Sequence, residues 1–426
     1  MSAPPITPSP AARSSLPALL ICGILLTLAV FIWPHLLVRF VSLQWQVGNV
    51  AAAAGLLSTA LALSALVAWA CRRRLSSWLA RVFPANRQSL YAAGAVVLAV
   101  ALFSGLAEIG LRFFQVPFRL GWTPAEYRIS RFDPDLGWAY LPNLSTVQRF
   151  GSEGRQVAIY TDAMGNRVAD PGFHLDPSAP TVIFAGCSYT FGHGLPFEET
   201  FAGRLASAPG FPYQVLNLGV QGYGTDQSLV SLQQILPKVN AKVVIYTFLL
   251  DHVKRNDNAD RRFIFPKARF PGTKPRFSVA ADGSLRQVSR PHRYEEMLDC
   301  HLCDLLELTW NRWGPEPSIP LTRALVKAMK QYVESRGAVF VLVLWTNPHQ
   351  IPTGQLVEAL FPRLKANVVD VGAGAPPAFG AWMIPGETHP DARAHAYVAS
   401  RIGAKLSELG LTPASSAPTE SVPRQP

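Results

Sequence analysis

Charge is what this sequence has least of. Asp, Glu, Lys and Arg make up 16% of its 426 residues, while hydrophobic residues make up 49%. That balance is too apolar for an ordinary soluble protein and points to membrane segments. Acidic groups are the scarcer sign: 28 Asp and Glu stand against 39 Lys and Arg, a net charge of +11. Cysteine is sparse too. Five cysteines, scattered and odd in number, exclude a disulfide framework. There is no internal repeat. Proline is plentiful, at 36, and gathers at the two ends and in the loops.

Three stretches lack charge altogether: 16–38, 47–71 and 90–107. As helices, each can cross about 30 Å of hydrocarbon. The Ala, Leu and Gly content of the second suits close helix packing. Buried core helices are the alternative, and three such runs in succession argue against it. The first run is too long for a cleaved signal peptide, and only Arg13 precedes it. Between the second and third lie Arg72, Arg73, Arg74, Arg81 and Arg87, with no Asp or Glu. A loop of this kind stays in the cytoplasm. The N-terminus is then cytoplasmic, and everything after the third span lies outside. Glu108 reads as an interfacial charge or a partner for Arg112 one turn later. Residues 1–15 and 412–426 are rich in Pro and small polar residues and are expected to be disordered.

The spans thus occupy 16–114, and a second region follows. Residues 124–180 hold turn signals and short strands, which predict a small β-rich lead-in packed beside the main domain. From 181 to 411 the pattern is α/β. Strands are expected at 181–185, 213–218, 242–249, 338–345 and 367–371. Helices are expected near 196–208, 225–237, 319–336, 354–364 and 391–409. Such alternation implies a parallel sheet with helices on both faces. The active site of such a fold lies at the carboxyl ends of the strands.

Three loops at those ends carry chemistry. In Val182-Ile-Phe-Ala-Gly-Cys-Ser-Tyr-Thr-Phe-Gly-His-Gly194, an apolar strand ends at Gly186, and Ser188 sits on the turn toward the next helix. A serine there has its hydroxyl lifted off the sheet edge and its own N–H near a helix start, as a nucleophile requires. A turn with no chemistry is the bland alternative. After the second strand comes Asn217-Leu-Gly-Val-Gln-Gly-Tyr-Gly224, whose glycines let backbone N–H groups approach a ligand. Near the C-terminus, Gly386-Glu-Thr-His-Pro-Asp391 places a histidine two residues after a carboxylate. That is the setting of an oriented general base.

Together these residues resemble the SGNH, or GDSL-type, hydrolase superfamily over about 181–409. Gly186-Cys187-Ser188 matches its first block, with Ser188 as nucleophile. Gly222 matches the second-block glycine, whose N–H serves the oxyanion hole. His389-Pro390 matches the block that supplies the base. The Leu136-Gly-Trp and Gly165-Asn-Arg segments look like those of membrane-anchored members that act on cell-envelope material. Three positions depart from the pattern. Cys187 replaces the usual Asp before the nucleophile. Leu250 stands where the third block usually has an oxyanion-donating asparagine, so Asp251, His252, Arg255 and Asn256 become candidates for a supporting role. Gly386 stands where the acid is usual, which moves that role to Glu387.

An insertion of some seventy residues, about 253–318, interrupts the α/β pattern. From 254 to 293 it holds eleven Lys and Arg against three Asp, with Phe263, Phe265, Phe270 and Phe277 interleaved. It reads as a lid or platform for an anionic glycan or lipid headgroup, or as a solvated loop. Cys300 and Cys303 share a face of a helical pattern at 294–313, as two unpaired thiols or a disulfide. Two cysteines and one histidine fall short of a structural zinc set.

The sequence therefore predicts a multi-pass membrane protein with an extracytoplasmic serine esterase, deacylase or O-acyltransferase domain. In a Gram-negative source that domain would be periplasmic. Ser188 would attack, His389 would take the proton, Glu387 would orient it, and the N–H groups of Ser188 and Gly222 would hold the oxyanion. The expected substrate is an O-acyl group, such as acetyl, on an envelope or exported polysaccharide. No metal, organic cofactor or nucleic acid is implied, and oligomeric state is left open. The rival readings are a lysophospholipase or thioesterase, and a non-catalytic glycan-binding module.

Overall fold

The structure is a computed structural model. It describes residues 88–113, 129–260, 271–296, 300–303, 319–345, 360–361 and 367–412, with isolated positions between 59 and 74. The first expected span, most of the second, the 354–364 helix apart from 360–361, and both expected disordered ends fall almost wholly outside these residues. So do Phe263, Phe265 and Phe270. The chain divides into two compact units, one formed by Met1–Leu120 with Leu298–Gly314 and the other by Gly121–Met297 with Pro315–Pro426.

In the first unit, α1 (Gln88–Phe113) runs unbroken for 26 residues and covers the third expected span. At 1.5 Å per residue it is about 39 Å long. Its Val97, Leu98 and Ile109 side chains are more than half exposed. Counted over the described residues alone, no helix is long and apolar enough to cross a membrane. Glu108 accepts from Arg112 Nε at 2.8 Å and also from the backbone N–H groups of His301 and Leu302. Cys300 and Cys303 are joined by a disulfide, with Cα atoms 5.2 Å apart, which closes the choice left by their spacing.

The second unit opens with strands. β1 (Ser130–Asp133) and β2 (Gly137–Tyr140) form an antiparallel pair. β3 (Ser145–Phe150), β4 (Arg155–Thr161) and β5 (Arg167–Val168) follow. The α/β part runs β6 (Thr181–Ala185), α2 (Ser188–Phe191), α3 (Phe201–Ala206), β7 (Gln214–Asn217), α4 (Thr225–Ile235), β8 (Ala241–Leu249) and α5 (Asp251–Asp257). A hairpin of β9 (Arg276–Val279) and β10 (Leu285–Ser289) comes next. The chain closes with α6 (Ile319–Ser335), β11 (Val339–Trp345), β12 (Asn367–Asp370) and α7 (Ala392–Glu408).

One sheet of eight strands organises the unit, in the order β12-β11-β8-β6-β7-β5-β4-β3. The five strands from β12 to β7 are parallel, as the sequence predicts. The lead-in corrects that expectation. It does not pack beside the sheet but extends it, with β5 joining β7 antiparallel at Arg167 opposite Asn217. The sheet is therefore mixed. The physical reason is that β7 would otherwise be an open edge with unpaired backbone groups.

Alternation along each central strand feeds two cores. Val182 and Phe184 pack with Phe201, Val398 and Ile402 of α3 and α7. Ile183 and Ala185 pack with Leu229, Leu325 and Met329 of α4 and α6. All of these are within a few percent of full burial, and each large one contributes about 1.5–3 kcal/mol. With helices on both faces, the carboxyl ends of the parallel strands form one rim.

In the described part of the insertion Lys254, Arg276, Arg286, Arg290 and Arg293 are exposed, but not every cation is. Lys274, one of its cations, is fully buried and pairs with the equally buried Asp226 at the start of α4. It also donates to the Asn256 and Pro275 carbonyls.

Candidate active site

Ser188 is the first residue of α2, two residues beyond the end of β6 across Gly186 and Cys187. Gly186 makes the turn with φ +152°, and a Cβ there would lie 2.2 Å from Thr190 Oγ1. The serine is 6% exposed, and its Oγ lies 3.0 Å from His389 Nε2.

His389 and Glu387 come from a tight loop before α7. Ile384 N–H donates to the His389 carbonyl at 2.9 Å, and Met383 bridges to Pro390. Gly386 turns the tip with φ +77°. Asp391 then caps α7 through the N–H groups of Arg393 and Ala394. Tyr189, next to the serine, donates its hydroxyl to the Thr388 carbonyl at 3.1 Å. The loop is thus fixed at both sides of the histidine. Glu387 Oε2 lies 3.3 Å from His389 Nδ1, so the shifted acid does reach the base. The separation is right for an ion pair, but the contact falls short of hydrogen-bond geometry, and Nδ1 has no better partner. Burial, against the pull of Glu387 and with His193 and Arg255 nearby, holds the His389 pKa below the ordinary histidine value. The base is therefore neutral and ready to accept a proton.

Sequence reasoning missed His193. Its Nε2 lies 2.9 Å from the same Glu387 oxygen, closer than His389 does. The two imidazole rings stack with centroids 4.0 Å apart. Glu387 Oε1 accepts from Gly151 N–H at 2.7 Å. The imidazole of His193 first, then that of His389, holds the Glu387 carboxyl well below the usual carboxylate range despite partial burial. The one signal in the sequence was a histidine between two glycines just after the nucleophile.

The loop after β7, expected from the sequence to hold the oxyanion, is fixed by the lead-in. Gly219 passes so close to α2 that a Cβ would lie 2.2 Å from Phe191 N. Asn217 Nδ2 donates to the Thr190 carbonyl, and its Oδ1 accepts from Gly219 N–H. Trp138 Nε1 donates to the Gln221 carbonyl, and Tyr140 Oη accepts from Gln221 N–H. Gly222 follows with φ +74°. Arg167, 1% exposed, lies under the nucleophile turn and donates to the carbonyls of Phe191, Gly192 and Leu195. Burial lowers its pKa to about 10.

The four candidate supporting residues separate. His252 is fully buried against Phe248 and the Tyr246 hydroxyl. Asn256 takes the N–H of Thr225 and donates to two buried hydroxyls. Asp251 is exposed and 3.7 Å from Arg255. Arg255 is the one that meets the loop after β7, donating to the Tyr223 carbonyl at 3.0 Å. Leu250 is 42% exposed.

His193, Glu387 and His389 bring three atoms of ligand type within 4.8 Å of one another. Each is engaged within the set: both imidazoles face the one carboxylate, whose other oxygen is on Gly151. The arrangement suits proton handling. A cavity of about 350 Å³ opens behind the acid loop, lined by Phe150, Gly151, Arg155, Leu195, Ile384 and Arg393 among others; neither Ser188 nor His389 lines it.

No family model matches the chain, and no curated protein does. Solved structures do. The crystal structure of TesA aligns at 15% identity over 54% of this chain and 99% of its own, with a TM-score of 0.31. A lipase/acylhydrolase from Enterococcus faecalis aligns at 12% identity over 56% and 100%, with a TM-score of 0.32. The psychrotrophic esterase EstA from Pseudoalteromonas sp. aligns at 12% identity over 54% and 97%, with a TM-score of 0.30.

Proposed function

We propose that this protein is a serine ester hydrolase or acyltransferase of the SGNH type. The observation that carries the reading is Ser188 Oγ at 3.0 Å from His389 Nε2, with Glu387 on the other side of the ring. Ser188 Oγ attacks an ester carbonyl carbon while His389 Nε2 takes its proton. Glu387 stabilises the imidazolium. The N–H groups of Ser188 and Gly222 receive the carbonyl oxygen as it becomes negative. The imidazolium then protonates the leaving alcohol, and an acyl-serine remains. Water or a sugar hydroxyl, deprotonated by His389, releases the acyl group.

The location and substrate are part of the same proposal. Three uncharged runs and an arginine-only loop support a multi-pass anchor with the hydrolase unit outside the cytoplasm. An O-acyl group on envelope or exported polysaccharide is the substrate class this location supports. A serine-reactive fluorophosphonate tests the chemistry. One equivalent should label the wild type, and none should label Ser188→Ala. Well-folded wild type that neither labels nor turns over acetyl or longer acyl esters would favour a glycan-binding module. Turnover of long acyl esters alone would favour a lipid substrate.

A further inference from the structure

Building on the hydrolase reading, we infer that His193 is a positioning residue of the reaction, a second histidine that holds the triad carboxylate and ties it to the oxyanion loop. Four contacts surround its ring. Nε2 meets Glu387 Oε2 at 2.9 Å. Nδ1 meets Gln221 Nε2 at 2.5 Å. One face lies on His389 at 4.0 Å, and Phe150 meets the ring edge-on at 4.7 Å. The backbone is fixed as well, since His193 N–H donates to the Ser188 carbonyl at 3.0 Å.

These contacts select one tautomer. Facing a carboxylate, Nε2 carries the proton and donates it. Facing an amide nitrogen, Nδ1 keeps its lone pair and accepts. A single chain of contacts runs from Gln221 through His193 to Glu387. Gln221 immediately precedes Gly222. One chain thus connects the loop that receives the oxyanion to the acid that steadies the base.

The need for such a residue lies in the position of the acid. Glu387 stands at the turn of a loop, partly exposed, and its contact with His389 is the longer of its two histidine contacts. An unrestrained glutamate there would swing into water. His193 and the Gly151 N–H hold it from two sides, within reach of His389. When His389 becomes imidazolium, the carboxylate is already in place and needs no reorganisation.

The test is a double-mutant cycle on the full-length protein in detergent, read as kcat and KM on a small acetyl ester. His193→Ala should lower kcat about 10- to 100-fold, the rate equivalent of one hydrogen bond to a charged group, with KM within about twofold. His193→Gln restores a side-chain N–H donor and should recover a large part of that loss. In a Glu387→Gln background, His193→Ala should cost little more, because both act through the same contact. Multiplying losses in the double variant, or no rescue by glutamine in a variant that still labels with fluorophosphonate, would show a merely structural histidine and overturn the inference. Unchanged kcat in His193→Ala would overturn it as well. Wild type that neither labels nor turns over ester would remove the hydrolase reading and this one together, so the two failures are told apart.

Discussion

At the scale of single residues, the proposed reaction needs Ser188, His389 and Glu387 to act as a unit. Ser188→Ala and His389→Ala should each remove nearly all turnover, and the double variant should be little worse than either. Initial rates on an acetyl ester check this. Glu387→Gln should be milder, because the imidazole keeps its ring contacts and loses mainly its orienting charge. The pH dependence has a definite sign. Only neutral His389 can accept the serine proton, and its pKa is lowered, chiefly by burial. The acid limb of kcat/KM should therefore lie below about 6.5, the ordinary histidine value. Glu387 raises the His389 pKa, so Glu387→Gln should move the limb to still lower pH. A limb that moved up would contradict the electrostatics. The pairing of Ser188 with His389 was legible because each half is local: a glycine turn after an apolar strand, and a histidine in a loop before a helix. Glu387 was legible because it is two residues from His389. His193 was not, because its meaning depends on a carboxylate contributed by the last loop of the unit.

At the scale of elements, the devices that hold the rim together are buried charges. Lys274 and Asp226 are each fully buried, and they fasten the segment before β9 to the first turn of α4. Breaking such a pair leaves an unpartnered charge in a low-dielectric interior and costs about 3–5 kcal/mol. Lys274→Met should destabilise by that much in chemical denaturation. Adding Asp226→Leu should restore most of the loss, since the orphaned charge is then gone. The central strands were readable as apolar runs because both their faces are covered. β4 was harder to place, since it is half-covered and alternates in burial, and its partner is set by pairing rather than by its own pattern. The burial of Lys274 was not legible for the same reason: the sequence shows a charge and hides its counterion.

At the scale of the whole molecule, topology and the extent of the hydrolase unit can both be tested. Reporter fusions after residue 85 should behave as cytoplasmic, and fusions after residue 124 as exported. The opposite pattern would remove the proposed location and with it the polysaccharide substrate. A chain lacking 129–180, spliced directly to residue 181, keeps every parallel strand of the sheet and every residue of the triad. It should nonetheless show less than about one-hundredth of wild-type turnover, because a buried clamp and three loop contacts are lost together. Wild-type activity in that deletion would show that the lead-in is dispensable. The contact between Gly151 and Glu387 joins positions 236 residues apart, and it has a consequence in time. During synthesis the ribosome releases Gly151 and Ser188 long before the loop that carries His389. Until that loop docks, the serine has no base and is an ordinary alcohol. The reactivity proposed for Ser188 therefore begins only when the 384–390 loop has docked, late in the making of the chain.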